Sequence, residues 1–370
     1  MAKKDDEPGR WEALRRRLLD WYRRNQRDLP WRRRTDPYAI WVSEIMLQQT
    51  RVAVVIERYQ AFMARFPTLV SLALAPEQDV LALWSGLGYY RRARMLHKAA
   101  SFVATRLEGN LPASATALRT LPGIGAYTAA AIASIAFGQP VAVVDGNVER
   151  VLCRLAGWGN ATGAGATALH RKIEDLAGRL VDPERPGDFN QAMMELGATV
   201  CLPRNPQCLV CPLSADCKTR GEHKTSPRPT MLSREVAYAL SVRTSHASGK
   251  VHGSGSREVL LEQRAASQTV MPGLWELPVL REAAVPEGDL RMIVRHAIMQ
   301  VNYYVRIRTV FEDDVDAMTM AGGGQRRWVP LNEAFGMALT GLTRKVLSRA
   351  HLLPTAALDA IAPQRERDVV

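Results

Sequence analysis

Leu121-Pro122-Gly123-Ile124-Gly125, followed twenty residues after Gly125 by Asp145-Gly146-Asn147-Val148-Glu149-Arg150, carries the strongest structural signal in the chain. Two glycines one residue apart let the backbone turn tightly with its N–H groups uncovered, and the text after them, Tyr127 to Phe137, is nearly all Ala, Ile and Ser and predicts a helix. Before them, Ala113 to Thr120 reads as a short helix with Ala117 and Leu118 on one side, and Pro122 pre-sets the turn. Helix, hairpin, helix is the expectation, with Gly123 and Gly125 opening a seat for a phosphate at the start of the second helix. Asp145 follows the apolar stretch Val141 to Val144, where a third helix would start and its positive end would favour a carboxylate. Each feature alone has a plainer reading, a common turn and an ordinary cap; together they point to chemistry on a nucleic-acid backbone or sugar.

Length and charge set the frame. Three hundred and seventy residues, 47% of them hydrophobic, predict two domains, each with its own core. A formal net charge of +12 favours a polyanionic partner. Between Met1 and Arg34 there are twelve Lys or Arg against six Asp or Glu, and the arginine runs 15–17, 23–24 and 32–34 interleave with Trp11, Trp21, Tyr22 and Trp31. The same segment keeps helical spacing at Trp11, Leu14, Leu18 and Trp21, so a solvated basic face on an amphipathic helix explains it as well. With no run of eighteen apolar residues and no leader pattern, the expectation is a soluble cytoplasmic protein, monomeric and without a membrane partner.

From Trp11 to about Lys218 the text is helical, broken by prolines, and no convincing strand stands out. His223 to Pro229 turns polar. Beyond it Val236 to Val242, Arg257 to Gln263 and Val301 to Val310 read as strands, with a turn at Gly322-Gly323-Gly324 and a closing helix from Gly341 to Ala350. The expected organisation is a helical domain over 1–222, a linker over 223–235, a smaller α+β domain over 236–352 and a tail over 353–370.

Two clusters carry further chemistry. Cys201, Cys208, Cys211 and Cys217 are separated by six, two and five residues, and four thiolates so close repel one another unless a metal centre neutralises them. A structural zinc site usually pairs two Cys-x-x-Cys knuckles and only one is present, so the spacing by itself leaves the metal open. Cys153 lies outside the array and reads as a small buried hydrophobe. In Trp41-Val42-Ser43-Glu44-Ile45-Met46-Leu47-Gln48-Gln49-Thr50, helical geometry surrounds Glu44 with Ile40, Trp41, Leu47 and Gln48. Burial there raises a carboxyl's pKa and suits a general acid, worth roughly 10²- to 10⁴-fold in rate; an exposed helical glutamate is the plainer reading.

On WVSEIMLQQT, the turn Gly86-Leu87-Gly88-Tyr89-Tyr90, the hairpin, Asp145-Gly146-Asn147 and the cysteine spacing, the chain resembles the MutY-type adenine DNA glycosylases of the helix-hairpin-helix superfamily that includes endonuclease III, from Trp11 to about Ala350. The resemblance implies a mainly α fold: an all-helical glycosylase domain with a [4Fe-4S] loop at 201–217, plus a Nudix-like α+β domain. It implies that Glu44 protonates flipped adenine at N7 and that Asp145 stabilises the sugar cation, with Asn147 and Tyr127 as its hydrogen-bonding supports. Related lyases carry a Schiff-base lysine where Tyr127 stands, which implies a monofunctional enzyme. Trp31, Arg32, Leu47 and Gln191 match adenine-pocket residues, Gln49 and Tyr89 match residues that wedge into the duplex, and Gly123 and Gly125 match the glycines that grip DNA. The implied partner is double-stranded DNA with adenine opposite 8-oxoguanine or guanine, together with replication or repair proteins.

The C-terminal part resembles the family's Nudix-like domain through Met271-Pro272-Gly273-Leu274-Trp275-Glu276-Leu277-Pro278, without the glutamate-rich box that pyrophosphate hydrolysis needs. The family reads 8-oxoguanine with a Phe-Ser-His loop, where this chain has Ile298, Met299 and Gln300 after Arg295-His296-Ala297; a shifted alignment puts His296 on the family histidine. A mismatch glycosylase of other base preference and a DNA-binding protein without catalysis are the alternatives. Glu44 and the adenine-pocket residues speak against the first, and the pair Glu44 and Asp145 against the second.

Overall fold

The computed structural model describes residues 8–159, 164–222, 230–245, 256–315 and 324–353. Residues 223–229 of the expected linker, Gly322 and Gly323 of the expected turn, and the tail from 354 onward lie outside them. Among the described residues up to 222 every regular element is helical: α1 (Pro8–Asn25), α2 (Pro37–Leu47), α3 (Val52–Arg65), α4 (Leu69–Ala73), α5 (Glu77–Leu83), α6 (Arg91–Arg106), α7 (Ala115–Leu118), α8 (Ala126–Phe137), α9 (Gly146–Ala156), α10 (Ala164–Leu180) and α11 (Pro186–Thr199). Contacts divide the chain into two compact units, one of Met1–Gln49, Thr68–Ala73 and Lys98–Pro227, the other of Thr50–Pro67, Leu74–His97 and Arg228–Val370. The contact boundary therefore does not coincide with the change of composition near residue 223.

In the first unit, α2 is apolar all round and nine of its eleven residues are buried, which makes it a core helix. α8 is built of small residues, and α11 approaches it so closely that a Cβ on Gly187 would lie 2.9 Å from the backbone of Ser134 and Ile135. The stripe Leu14, Leu18, Leu19, Trp21 and Tyr22 of α1 joins a core with residues of α9, α10 and α11, each fully buried leucine being worth roughly 1.5–3 kcal/mol. The arginines between these positions are partly structural. Arg15 donates to the carbonyls of Arg179 and Leu180 at the C-terminal end of α10 (2.8 and 2.9 Å), where a cation also meets the negative helix end. Arg10 and Arg17 pair with Asp216.

In the second unit, Phe62, Phe66 and Trp84 pack edge to face with ring centroids 5.0 and 6.1 Å apart. The C-terminal part contains β1 (Leu232–Leu240), β2 (Val242–Ser245), β3 (Ser256–Gln263), β4 (Trp275–Glu276), β5 (Leu290–Ile298), β6 (Val301–Thr309) and β7 (Arg326–Pro330), with α12 (Leu331–Ala334) and α13 (Gly341–Arg349). One sheet has the order β1-β6-β5, with β1 parallel and β5 antiparallel to β6; in the other β3 pairs with β2, β4 and β7. β1 begins four residues before the expected domain start at 236, because the polar residues Ser233 to Glu235 pair in register with Asn302 to Tyr304. No helix among the described residues is long and apolar enough to cross a membrane.

Candidate active site

Asp36 caps α2 by accepting from the N–H groups of Tyr38 and Ala39, and the helix carries Glu44 into the core of the first unit, where it is 5% exposed. The Tyr127 hydroxyl, on the first turn of α8, stands 2.7 Å from Glu44 Oε2 and 3.4 Å from Met194 Sδ on α11. Burial drives the Glu44 pKa up to about 7; the Tyr127 hydrogen bond and Arg32 pull against that rise and the Asp145 charge adds to it. Burial and Glu44 push Tyr127 well above 10, so it remains a neutral donor. A buried acid half-protonated near neutrality is the chemistry expected of Glu44.

Asp145 is the N-cap of α9, its Oδ1 accepting from the backbone N–H of Asn147 (2.9 Å) and Val148 (2.7 Å) and its Oδ2 from the Asn147 side chain (2.9 Å). Asn147 thus bonds Asp145 through both its backbone and its side chain. Tyr127 does not: its hydroxyl bonds Glu44, because the first turn of α8 faces α2 and the hydroxyl ends at the glutamate. Asp145 acts on both groups through its charge. Asn190, fully buried, fixes the segment leading into Asp145 by accepting from Val143 N (3.0 Å) and donating to Val141 O (2.9 Å). Gly197 of α11 gives Asn147 its room, since a Cβ there would lie 2.6 Å from that of Asn147. Arg150 spans from Asn147 Oδ1 (2.9 Å) to the carbonyls of Gly197 (2.7 Å) and Cys201 (2.9 Å).

The expected adenine-pocket residues lie in the same unit. Trp31 is buried, Leu47 ends α2 one turn beyond Glu44, and Gln191 is half-buried one turn before Met194 on α11. Arg32 is held by a residue not singled out in the sequence: Glu195, 1% exposed, accepts from Arg32 (2.8 Å) and from two side-chain nitrogens of Arg27 (2.8 and 2.7 Å). Burial alone would push Glu195 up; the hydrogen bonds from Arg27 and Arg32 outweigh it and bring the pKa down to about 2. A carboxylate inside Ala192-Met193-Met194-Glu195-Leu196-Gly197 is the kind of signal that pointed to Glu44.

At the hairpin, Gly123 takes φ +75°, which only glycine adopts freely, and Ile124 anchors the turn in the core. Gly125 has ordinary extended backbone, and a Cβ there would meet nothing within 4 Å, so this side of the turn is open. Among the described residues no side chain caps α8, so its first N–H groups have no intrahelical or side-chain acceptor. Gln49, exposed just past α2, has φ +54°. In the second unit Tyr89 has φ +47° and is 52% exposed, with the Arg92 guanidinium 5.3 Å from its ring and 5.6 Å from that of Trp84. Left-handed backbone at a non-glycine residue is costly and concentrates at sites of function.

Cys201, Cys208, Cys211 and Cys217 line one recess with Arg154, and none forms a disulfide. Arg154 Nη1 stands 3.3 Å from Cys201 Sγ, while its buried Nε has no hydrogen-bond partner among the described residues. Among the described residues no three Cys, His, Asp or Glu side chains close to the spacing of a single-ion site. Four soft donors around one recess, with a buried guanidinium N–H unanswered beside them, fit an anionic cluster of several metal ions. Cys153 is buried apart from them, as expected.

The lesion-reading segment is not a free loop. Arg295 to Ile298 belong to β5, paired antiparallel with β6 from Tyr304 to Val301, and only Met299 and Gln300 form the turn. Val294, His296 and Ile298 turn inward and alternate with the exposed Arg295 and Ala297. Met299 takes φ +53° and is 75% exposed.

Residues 42–176 match the HhH-GPD superfamily of base excision DNA repair proteins. The chain is 52% identical over 219 residues to the adenine DNA glycosylase of Homo sapiens, covering 56% of this chain and 39% of that protein. To the adenine DNA glycosylase of Mycobacterium tuberculosis (strain CDC 1551 / Oshkosh) it is 46% identical over 197 residues, 53% of this chain and 64% of that one. The chain thus spans 39% and 64% of the length of these two curated relatives, less than two thirds of either. A solved thermostable thymine-DNA glycosylase is 30% identical with a TM-score of 0.52, over 57% of this chain and 97% of that chain. The matched span holds Glu44, Tyr127, the hairpin and Asp145, and a solved member is covered almost end to end; the chain belongs to the helix-hairpin-helix (HhH-GPD) superfamily of base excision DNA repair proteins, in its MutY-type branch.

Proposed function

We propose that the protein is a monofunctional adenine DNA glycosylase acting on duplexes in which adenine faces 8-oxoguanine or guanine. The observation that carries this reading is the pair of unlike carboxylates in one unit, Glu44 buried with a pKa near 7 and Asp145 held by three N–H donors at a helix start. A stacked base is out of reach of both, so adenine must first leave the helix. Glu44 then gives its proton to adenine N7 as the bond between N9 and the sugar breaks, and the electron pair leaves with a neutral base. Asp145 faces the positive charge left on the sugar, as a nearby carboxylate does in sugar hydrolysis. Water completes the reaction at the sugar carbon and Glu44 regains a proton. Tyr127 offers a phenol where a lyase needs an amine, so the strand stays intact.

Phosphates fit the uncapped start of α8 at Gly123 and Gly125, with Gln49 and Tyr89 as the wedge residues. Cys201, Cys208, Cys211 and Cys217 would hold a [4Fe-4S] cluster. When bound, it would supply an iron–sulfur group that crosslinks segment 201–217 beside Arg154 and Arg150. The deciding experiment measures base release under single-turnover conditions from duplexes with adenine opposite 8-oxoguanine, guanine and thymine, and with thymine opposite guanine. Adenine release on the first two supports the proposal; thymine release alone would favour another mismatch preference, and no release from any duplex a DNA-binding protein without catalysis.

A further inference from the structure

We propose that Arg344, Ser85 and Tyr90 form a positioning relay by which the C-terminal segment holds the exposed ring of Tyr89 in the conformation that enters DNA. The inference rests on the proposed function only in taking Tyr89 as a wedge residue. All of its groups belong to the second unit. The turn Gly86-Leu87-Gly88-Tyr89-Tyr90, between α5 and α6, keeps left-handed backbone at Gly86 (φ +95°), Gly88 (φ +68°) and Tyr89 (φ +47°). Such a conformation is costly at a tyrosine and persists only where the surroundings over-determine it.

The helices fix the middle of the turn. The Arg58 guanidinium of α3 lies so near Gly86 that a Cβ there would stand 3.3 Å from Nη2. Trp84 Nε1 donates to Gly88 O (3.1 Å), and Arg92 Nη2 of α6 donates to Leu87 O (3.0 Å) and Gly88 O (3.3 Å) with its guanidinium against the Tyr89 ring. The C-terminal segment fixes the two flanks. Arg344 of α13 donates through Nε to Ser85 Oγ (2.8 Å), the Ser85 hydroxyl bonds the Tyr90 hydroxyl, and Tyr90 donates to Leu339 O (3.1 Å).

This chain of hydrogen bonds therefore starts and ends in the C-terminal segment and passes through two buried hydroxyls, those of Ser85 and Tyr90. A guanidinium can only donate and a carbonyl only accept, so the order is fixed: Arg344 gives to Ser85, Ser85 to Tyr90 and Tyr90 to Leu339. Burial keeps the Tyr90 pKa above its ordinary value, and the phenol remains a neutral donor. No water replaces a lost member at such depth, so removing one leaves its neighbours unpaired. Both anchors are themselves held. Trp275 brackets Leu339, its N–H donating to Ala338 O (2.9 Å) and its carbonyl accepting from Thr340 N (2.8 Å), and Arg344 Nη2 also donates to Met337 O (3.3 Å). Because Tyr89 and Tyr90 are consecutive, a Tyr90 ring tied at its far end restricts the backbone from which the Tyr89 ring projects.

The test uses the full-length chain with Arg344→Met and Tyr90→Phe, each of which removes one donor of the relay and keeps most of the side-chain volume. In the free protein, hydrogen exchange read by mass spectrometry should quicken roughly tenfold at the amides of 85–90 and stay at the parent's rate over α8. Base extrusion is followed by stopped-flow fluorescence on a duplex with 2-aminopurine beside an adenine opposite 8-oxoguanine. Its rate should fall roughly tenfold in both variants, while affinity for an undamaged duplex, set by phosphate contacts, changes by less than about twofold. Arg344→Lys, which restores a donor, should recover most of the rate. The deciding measure is a cycle with Tyr89→Ala: if Arg344 acts through Tyr89, adding Arg344→Met to Tyr89→Ala slows extrusion no further. Additive losses would overturn the relay, as would the parent's exchange at 85–90, or the parent's extrusion rate, in whichever of the two variants folds. A parent that extrudes no base from any duplex would remove the proposed function instead, and the exchange at 85–90 would still decide whether the C-terminal segment holds the turn.

Discussion

Glu44→Gln should release no adenine and yet be more stable than its parent in alkaline solution. The Glu44 carboxyl is 5% exposed and its pKa rises from 4.5 to about 7. Below about pH 4.5 the group is protonated folded and unfolded alike and contributes no difference. Between 4.5 and 7 the unfolded chain ionises while the folded one keeps its proton, so the stability associated with the neutral carboxyl declines, and it is fully lost above about 7. A rise of roughly 2.5 pH units at ~1.36 kcal/mol each amounts to about 3 kcal/mol. Glutamine does not titrate and its carbonyl still accepts from Tyr127, so the variant should exceed the parent by about 3 kcal/mol at pH 8.5 and by less than about 1 kcal/mol at pH 5. The assay is urea denaturation of both proteins across that range, followed by the helical dichroism signal, alongside single-turnover adenine release. The parent's release rate should fall about tenfold per pH unit above 7. A stability difference independent of pH, or a variant less stable than the parent at pH 8.5, would contradict a raised Glu44 pKa in the folded protein.

Asp145→Asn should abolish release by roughly 10²-fold or more while changing stability by less than about 1 kcal/mol, because asparagine caps helices as well as aspartate; denaturation midpoints and base-release rates on one preparation check both halves. Glu195→Gln should loosen Arg32 and Arg27 together, raising KM for the duplex more than it lowers kcat. Since the Glu195 pKa is depressed to about 2, its stabilising effect is present above about 4.5 and lost as pH falls toward 2, so the parent's acid unfolding should begin at lower pH than would occur without those arginine bonds. An acid titration in which Glu195→Gln and parent lose structure with the same pH dependence would count against it. Tyr127→Lys should gain strand nicking and a borohydride-trappable adduct that the parent lacks. Anaerobically purified protein should carry about four irons and little zinc per chain, and metal analysis finding one zinc instead would remove the cluster.

The elements that could be read from the sequence are those set by local rules. Gly-x-Gly between two helix-forming stretches determined the hairpin, because only a glycine holds the φ of +75° found at Gly123, and an aspartate after an apolar run determined the cap at Asp145. The placement of Glu44 among large apolar residues on a helix offered burial and a raised pKa as one of two readings, and packing decided between them by burying the carboxyl. Partnerships between segments far apart in the chain were not readable. Tyr127 meets Glu44 rather than Asp145, and Glu195 collects Arg27 and Arg32 from more than 160 residues away, because helix packing in three dimensions chooses among several polar groups that sequence spacing leaves equivalent. The hairpin at 298–301 was read as a loop for the same reason. Its strand character comes from pairing with β6 and not from its own residues, and that pairing turns His296 and Ile298 inward and leaves Met299 at the exposed tip. Residue types and spacing therefore determined which groups carry the chemistry; the tertiary structure decided which of them touch, since a hydrogen bond depends on an ångström-scale distance that only packing sets.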